Sequence, residues 1–456
     1  MVRAYRASAR RPVSRGRRRT RSARLLDVLS NAAATVTQVT SPDLALSIDS
    51  DRLVQRLDDL ARVGAIEGTT GCARLALTDE DCAGRDLVTT WMHDLGLEVV
   101  IDGIGNVVAT MPHPSGRSPV MTGSHIDTVA TGGRYDGNLG VLAGLEVIET
   151  VLTAGIELHR PLAVGFFTDE EGSRFQPDML GSLVYVGGLA LEDALLIEDA
   201  AGAVVGDELD RIGYRGAAPL PAAAPHAFVE LHIEQGPVLE DEDVTIGVVE
   251  SVQGISWTEV TLTGRSCHAG TTPMRLRRDP GVVAAQIAAY VRELTGEIGG
   301  AQVGTVGSLT LTPNLVNVVP SAATLIVDLR NTDEATLQEA ERRFREFVAQ
   351  AAAREGVDVE LRSVARFEPV AFDGGVIDLV EQCAGELQHT TRRLPSGAGH
   401  DAQMLARVCP TAMIFTKSVG GISHNVDEYT APEDLAAGAN VLLQTMLRLT
   451  TTEFDR

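Results

Sequence analysis

Five imidazole or carboxylate residues, His125, Asp136, Glu171, His232 and His424, lie in short Gly-rich or acidic segments at the ends of β-like apolar runs. The segments are Gly-Ser-His125-Ile-Asp-Thr, Tyr-Asp136-Gly-Asn-Leu-Gly, Thr-Asp-Glu170-Glu171-Gly-Ser, Glu-Leu-His232-Ile-Glu-Gln235-Gly-Pro and Gly-Ile-Ser-His424-Asn. A fold that unites them must gather residues from 125 to 424. An open α/β sheet does so, because its sites form beyond the carboxyl ends of its strands. Imidazole and carboxylate donors without a thiolate suit Zn²⁺ or harder relatives such as Mn²⁺, Co²⁺ and Ni²⁺, and catalytic sites leave a position open for water. A carboxylate such as Asp136 can bridge two ions. Two divalent ions per subunit are therefore expected, Zn²⁺ first among them, in a metal-dependent hydrolase. An Asp-Glu-Glu run is usually a solvated surface, but here it follows the apolar stretch 162–167, which favours a site. His93, His113, His159, His226 and His389 lie in no such segment and read as ordinary histidines.

At 456 residues the chain exceeds one hydrophobic core, so two domains are expected. Its 62 acidic residues face 39 basic ones, and ten arginines fall within residues 1–24. The remaining body is strongly acidic, which argues against nucleic acid or an anionic membrane as partner. No apolar run reaches the ~18–20 residues of a membrane span. Residues 1–40 read as an Arg-rich disordered arm. Residues 1–24, rich in Arg and Ser and without an acid, also resemble a mitochondrial presequence, but one Lys against 38 Arg in the whole chain points to coding bias instead. The five cysteines are scattered and never spaced as CxxC, which suggests free thiols in a reducing cytoplasm.

Residues 51–63 and 80–96 carry apolar positions at helical spacing, and Leu139, Leu142, Leu145, Ile148 and Leu152 mark a helix ending near Gly155. Short apolar runs at 119–123, 162–168, 227–233 and 412–416 read as buried strands. Residues 250–367 differ: strand-like stretches at 256–264, 303–311, 324–330 and 357–365 enclose helical patterns at 279–294 and 333–353. That order, β-α-β-β-α-β, is the ferredoxin-like split unit. His424 lies beyond it, so the expected organisation is a catalytic domain at 45–249 and 368–456 with a second domain, 250–367, inserted.

The chain resembles the M20-type metallohydrolases, specifically the hydantoinase/carbamoylase branch. This branch holds N-carbamoyl-L-amino acid hydrolases, allantoate amidohydrolases and bacterial-type β-ureidopropionases. The matching segments are GSHIDTV at 123–129, RYDGNLGVLAGLEV at 134–147, FTDEEGSRF at 167–175, LHIEQGPVLE at 231–240, CHAGTTPM at 267–274, NLVNVVP at 314–320, VDLRN at 327–331, PSGAGHDA at 395–402 and GGISHN at 420–425. Each alone is weak; all in order are specific. The HIEQGP and GAGHDA segments favour this branch over aminopeptidases and aminoacylases. The resemblance implies an α/β zinc-peptidase-like catalytic domain with an inserted α+β ferredoxin-like lid that forms a homodimer.

By the same resemblance, His125 and His232 would hold one ion, Glu171 and His424 the other, and Asp136 would bridge. Glu170 would be the general base. His268 would stabilise the oxyanion from the partner subunit's lid, and Gln235, Asn317, Arg330 and Gly399 would contact a small ureido acid. His400 and Asp401 would brace their loop. The adjacent Cys267 is disfavoured as a nucleophile because neighbours on a strand point to opposite faces. Implied is cleavage of the carbamoyl C–N bond of an N-carbamoyl-L-amino acid. Allantoate or N-carbamoyl-β-alanine are alternative substrates; an aminoacylase, a dipeptidase or a non-catalytic homologue are more distant readings.

Overall fold

The computed structural model describes residues 46–451; the Arg-rich arm lies outside them. The apolar runs form the centre of a mixed nine-stranded sheet. Val120–His125, Leu162–Phe167, Ala227–Ile233 and Thr411–Thr416 run parallel to one another, and every residue in them is buried. Burial on both faces is why these strands read as continuous apolar runs rather than alternating ones. Their parallel arrangement puts all four carboxyl ends at one edge. His125 closes the first strand, Glu170 and Glu171 follow the second, and His232 is the next-to-last residue of the third. Antiparallel strands extend both sides, Glu98–Ile101 and Val107–Thr110 at one and Ile246–Val252 at the other.

Helix Asn138–Ala154 packs on this sheet and is buried over most of its circumference. Close approach is possible because Gly140 and Gly144 face the strands. A Cβ on Gly140 would lie 2.5 Å from the Leu231 carbonyl oxygen, and one on Gly144 2.5 Å from Thr122 Cγ2. Gly155 in the left-handed region ends the helix. Ser50–Ala61 and Asp79–Asp94 are the two earlier helices, each N-capped by a side-chain oxygen, from Asp49 and Thr78 respectively.

Ile246–Val252 leads into a separate four-stranded antiparallel sheet, ordered Asp358–Phe367, Gly254–Thr263, Ala322–Asn331, Val303–Thr312. With helices Pro280–Ile298 and Glu334–Glu355 this is the β-α-β-β-α-β unit. Strict alternation along Ala322–Asn331 turns Ala323, Leu325, Val327 and Leu329 inward. There they meet Ile287, Val291, Phe344 and Val348 of the helices in a second core, distinct from that of the large sheet. The chain then returns at Val370–Ala371, which pairs with Ser251 and Val252, so this unit leaves the large sheet and rejoins it at one strand. The molecule is thus mixed α/β. No helix among the described residues is long and apolar enough to cross a membrane.

Candidate metal centre

His125 and His232 are both buried, and each directs Nδ1 at a backbone carbonyl, that of Asp127 and of Ile233 respectively, at 2.9 Å. A carbonyl only accepts, so each Nδ1 carries the proton and turns the Nε2 lone pair toward the site, where that of His232 accepts the Gly137 N–H at 3.1 Å. That is how metal-binding imidazoles are usually oriented. Asp136 lies between the candidate ligands. Its Oδ1 is 3.2 Å from His232 Nε2 and 3.7 Å from His125 Nε2, while its Oδ2 is 3.5 Å from His424 Nε2. Glu171 Oε2 lies 3.2 Å from His424 Nε2. Donors sharing one tetrahedral ion at about 2.0–2.1 Å are about 3.4 Å apart. Two groups bring their donor atoms within 4.8 Å of one another, His125–Asp136–His232 and Asp136–Glu171–His424, and Asp136 belongs to both. In a third group, Glu230–His232–His400, Glu230 already accepts from Ser124 and the Ala402 N–H, and His400 bonds Ser396. That group reads as bracing, consistent with the His400 ring standing edge-on to His232 at 4.6 Å.

Local backbone geometry serves these contacts. A Cβ on Gly137, which has φ +64°, would fall 2.4 Å from the His125 ring, so only glycine lets Asp136 approach it. Asp169, Met179, Gln235 and His424 all hold left-handed φ. Such strain persists only where surroundings over-determine it; these are four of the eight non-glycine residues with left-handed φ among the described residues. Gln235 donates to Asp136 Oδ2 at 2.8 Å, and Ser423 does so at 2.7 Å.

Charge accumulates at the site. Burial opposes a charge on His232, yet Asp136 and Glu230 outweigh it and hold the imidazole up to about 9. A hydrogen bond donated to Glu171 raises His424 to about 9. Burial raises the Asp136 carboxyl, but His232 and the other imidazoles overcome this and keep it well below the usual range. Glu170 lies 3.3 Å from His125 Nε2 through Oε2. Burial, followed by the nearby Asp401 and Glu171, pushes its carboxyl well above the usual range. The field that favours imidazolium at His232 and His424 would also favour a divalent cation, and burial holds His125 below the usual range, neutral as a ligand must be, so the donor set fits metal.

The cavity is lined by His125, Asp136, Glu170, Glu171, His232, Gln235, Gly399, His400 and His424, with Asp178 and Ala398. Arg330 is not among these residues but holds the neighbouring loop: Nη1 donates to the carbonyl of Gly397, next to the lining Ala398, at 2.6 Å, and Asp328 receives Nε and Nη2 at 2.9 Å. His268 and Asn317 are not among the lining residues. Both are exposed, on a short ladder in which His268 pairs with Val318. There His268 Nδ1 accepts the Gly270 and Thr271 N–H groups, which leaves its proton on Nε2, facing outward as a donor.

Several supporting residues escaped the sequence reading. Asp127 accepts from the Glu170 and Glu171 N–H groups, and Glu428 from those of Tyr135 and Asp136. Asp127 could have been suspected from its place two residues after His125. Arg74 carried no signal. Fully buried, it donates to the carbonyls of Ile126, Leu60 and Val63 and to Asn138 Oδ1, so it ties the loop after His125 to the helix after Asp136. Arg74→Met should therefore weaken metal binding about 10–100-fold, the range for residues that orient ligands, as read by titration against a competing chelator. Unchanged affinity would limit Arg74 to packing.

Residues 121–448 match the model of peptidase family M20/M25/M40. An N-carbamoyl-L-amino-acid amidohydrolase of Rhizobium meliloti is 41% identical over 402 residues, 88% of this chain and 96% of that protein. A ureidoglycolate hydrolase of Arabidopsis thaliana is 34% identical over 419 residues, 89% of this chain and 87% of that protein. Among solved structures, an amidase of the hydantoinase/carbamoylase family from Burkholderia multivorans superposes with a TM-score of 0.86 at 43% identity, covering 89% of this chain and 98% of that one.

Proposed function

The chain belongs to peptidase family M20/M25/M40, an amidohydrolase of its hydantoinase/carbamoylase kind, and from that premise we propose that it cleaves the carbamoyl C–N bond of N-carbamoyl-L-amino acids. The products are the free amino acid, ammonia and carbon dioxide. The observation that carries this reading is Asp136, whose two carboxylate oxygens face two separate ligand groups while Glu170 stands beside them. His125, His232, Glu171 and His424, with Asp136 shared, would hold two divalent ions, Zn²⁺ first, then Mn²⁺, Co²⁺ or Ni²⁺. When bound, such a pair lowers the pKa of water toward neutrality and polarises the carbamoyl oxygen.

The chain's own groups supply the rest. Glu170 takes the proton of the attacking water and returns it to the leaving nitrogen. Asp328 and Gly397 use three of the five N–H groups of Arg330, which leaves two for the substrate carboxylate. Gln235, Asn317 and the backbone at Gly399 orient the remainder. The outward Nε2–H of the partner subunit's His268 stabilises the developing oxyanion. Exposed Met274, Leu315 and Val316 beside His268 and Asn317 support a homodimer formed through this unit. The free thiols at all five cysteines suit a cytoplasmic enzyme.

Ammonia release from N-carbamoyl-L-methionine should disappear after chelation and return on reloading with a divalent ion. Turnover that survives complete chelation would contradict the reading. A second outcome, preference for a ureido acid such as ureidoglycolate, is supported by the ureidoglycolate hydrolase relative.

Assembly has its own test. His268→Ala and Glu170→Gln chains, mixed under proven subunit exchange, should regain activity, because each mixed dimer holds one complete site. No recovery would place His268 in its own subunit's site or outside the chemistry.

A further inference from the structure

Asp178 lines the metal cavity although no motif singled it out. It follows the Glu170–Glu171 turn, and the Met179 N–H beside it bonds the Glu170 carbonyl at 2.7 Å, which fixes the loop to the base. Beside it stands Gly399, another lining residue, where a built Cβ would lie 3.7 Å from Asp178 Oδ2. The charge of Arg330 reaches the same carboxylate. Asp178 therefore lies along the path from the candidate ligands to the guanidinium, where a substrate spanning the two would lie. Among the described residues, no other residue donates a hydrogen bond to its side chain; only its own backbone N–H does. Burial pushes its carboxyl above the usual range, so it sits partly desolvated and short of donors.

We propose that Asp178 is a specificity-determining residue that accepts the terminal N–H of the substrate's ureido group and so separates carbamoyl from acyl substrates. The inference rests on the function proposed above. A ureido group presents a terminal NH₂ where an N-acetyl group presents a methyl. The NH₂ satisfies the carboxylate, whereas the methyl displaces its water and offers nothing in return. Sites built around such a donor reject analogues lacking it because their own polar group is left unpaired.

The test is kcat/KM of the metal-loaded enzyme for N-carbamoyl-L-methionine and N-acetyl-L-methionine, in the wild type, Asp178→Ala and Asp178→Asn. In Asp178→Ala the carbamoyl-to-acetyl ratio should fall by about ten- to a hundredfold, the range for losing a hydrogen bond to a charged group. Carbamoyl turnover should decrease and acetyl turnover rise. Asp178→Asn preserves the shape and retains one uncharged acceptor, so it should fall between the two and guards against a misfolded alanine variant. Equal losses on both substrates would make Asp178 structural and overturn the inference. A wild type that favours the carbamoyl compound with an unmoved ratio in both variants would overturn Asp178 alone. A wild type without carbamoyl turnover would overturn the function itself, and the inference with it.

Discussion

Glu170→Gln is expected to lower turnover by about 10²–10⁴-fold, the usual contribution of a positioned general base, with both metal ions retained. Glutamine keeps the size of the side chain and one carbonyl acceptor but cannot take a proton at pH 7. Burial and the neighbouring Asp401, Glu171 and Asp127 push the Glu170 carboxyl well above the usual range, and cations held by the adjacent candidate ligands would offset that shift and leave it able to accept a proton. Metal analysis of the purified variant separates the two possible roles of this side chain. Its Oε2 lies only 3.3 Å from His125 Nε2, so a variant that loses an ion instead would make Glu170 a ligand and reverse its assignment with Glu171.

Arg330→Ala should lower kcat/KM for carbamoyl acids by tens- to thousands-fold, because truncating one side of a desolvated charge pair costs about 2–5 kcal/mol. The loss should be selective. Ureido compounds without a carboxylate should be poor substrates of the wild type and little worse for the variant. Arg330 also bonds the Gly397 carbonyl, so its removal could disturb the loop that carries Gly399. Arg330→Lys separates the effects: it keeps the charge but loses the two-pronged geometry, and should recover only part of the efficiency. Equal loss on substrates with and without a carboxylate would assign Arg330 to the loop rather than to the substrate.

Much of the fold was legible in the sequence for a physical reason. Parallel strands buried on both faces must be apolar throughout, so 162–167 and 227–233 stood out, and the polar residues at their ends stood out against them. The alternation along Ala322–Asn331 likewise marked a sheet with one covered face. Short antiparallel strands such as Glu98–Ile101 and Val107–Thr110 left too few residues for a period to register. The candidate ligands were legible because residue type and local context coincide. Arg74, Glu428 and Asp178 were not, because their importance lies in partners distant along the chain: Arg74 meets Asn138, and Glu428 meets Asp136. Nor could the sequence say that His268 and Asn317 would stand apart from the cavity, or that Arg330 would bond the Gly397 carbonyl beside it.

The direct test of the whole account is ammonia and amino acid release by the metal-loaded enzyme from five compounds side by side. They are N-carbamoyl-L-methionine, its D-isomer, allantoate, N-carbamoyl-β-alanine and N-acetyl-L-methionine. A substrate held by its carboxylate at Arg330 and by its ureido carbon at the candidate metal ligands, as proposed, would have the side of its own side chain fixed, so the D-isomer should be inert. The account predicts the highest kcat/KM for N-carbamoyl-L-methionine; preference for the acetyl compound would contradict it.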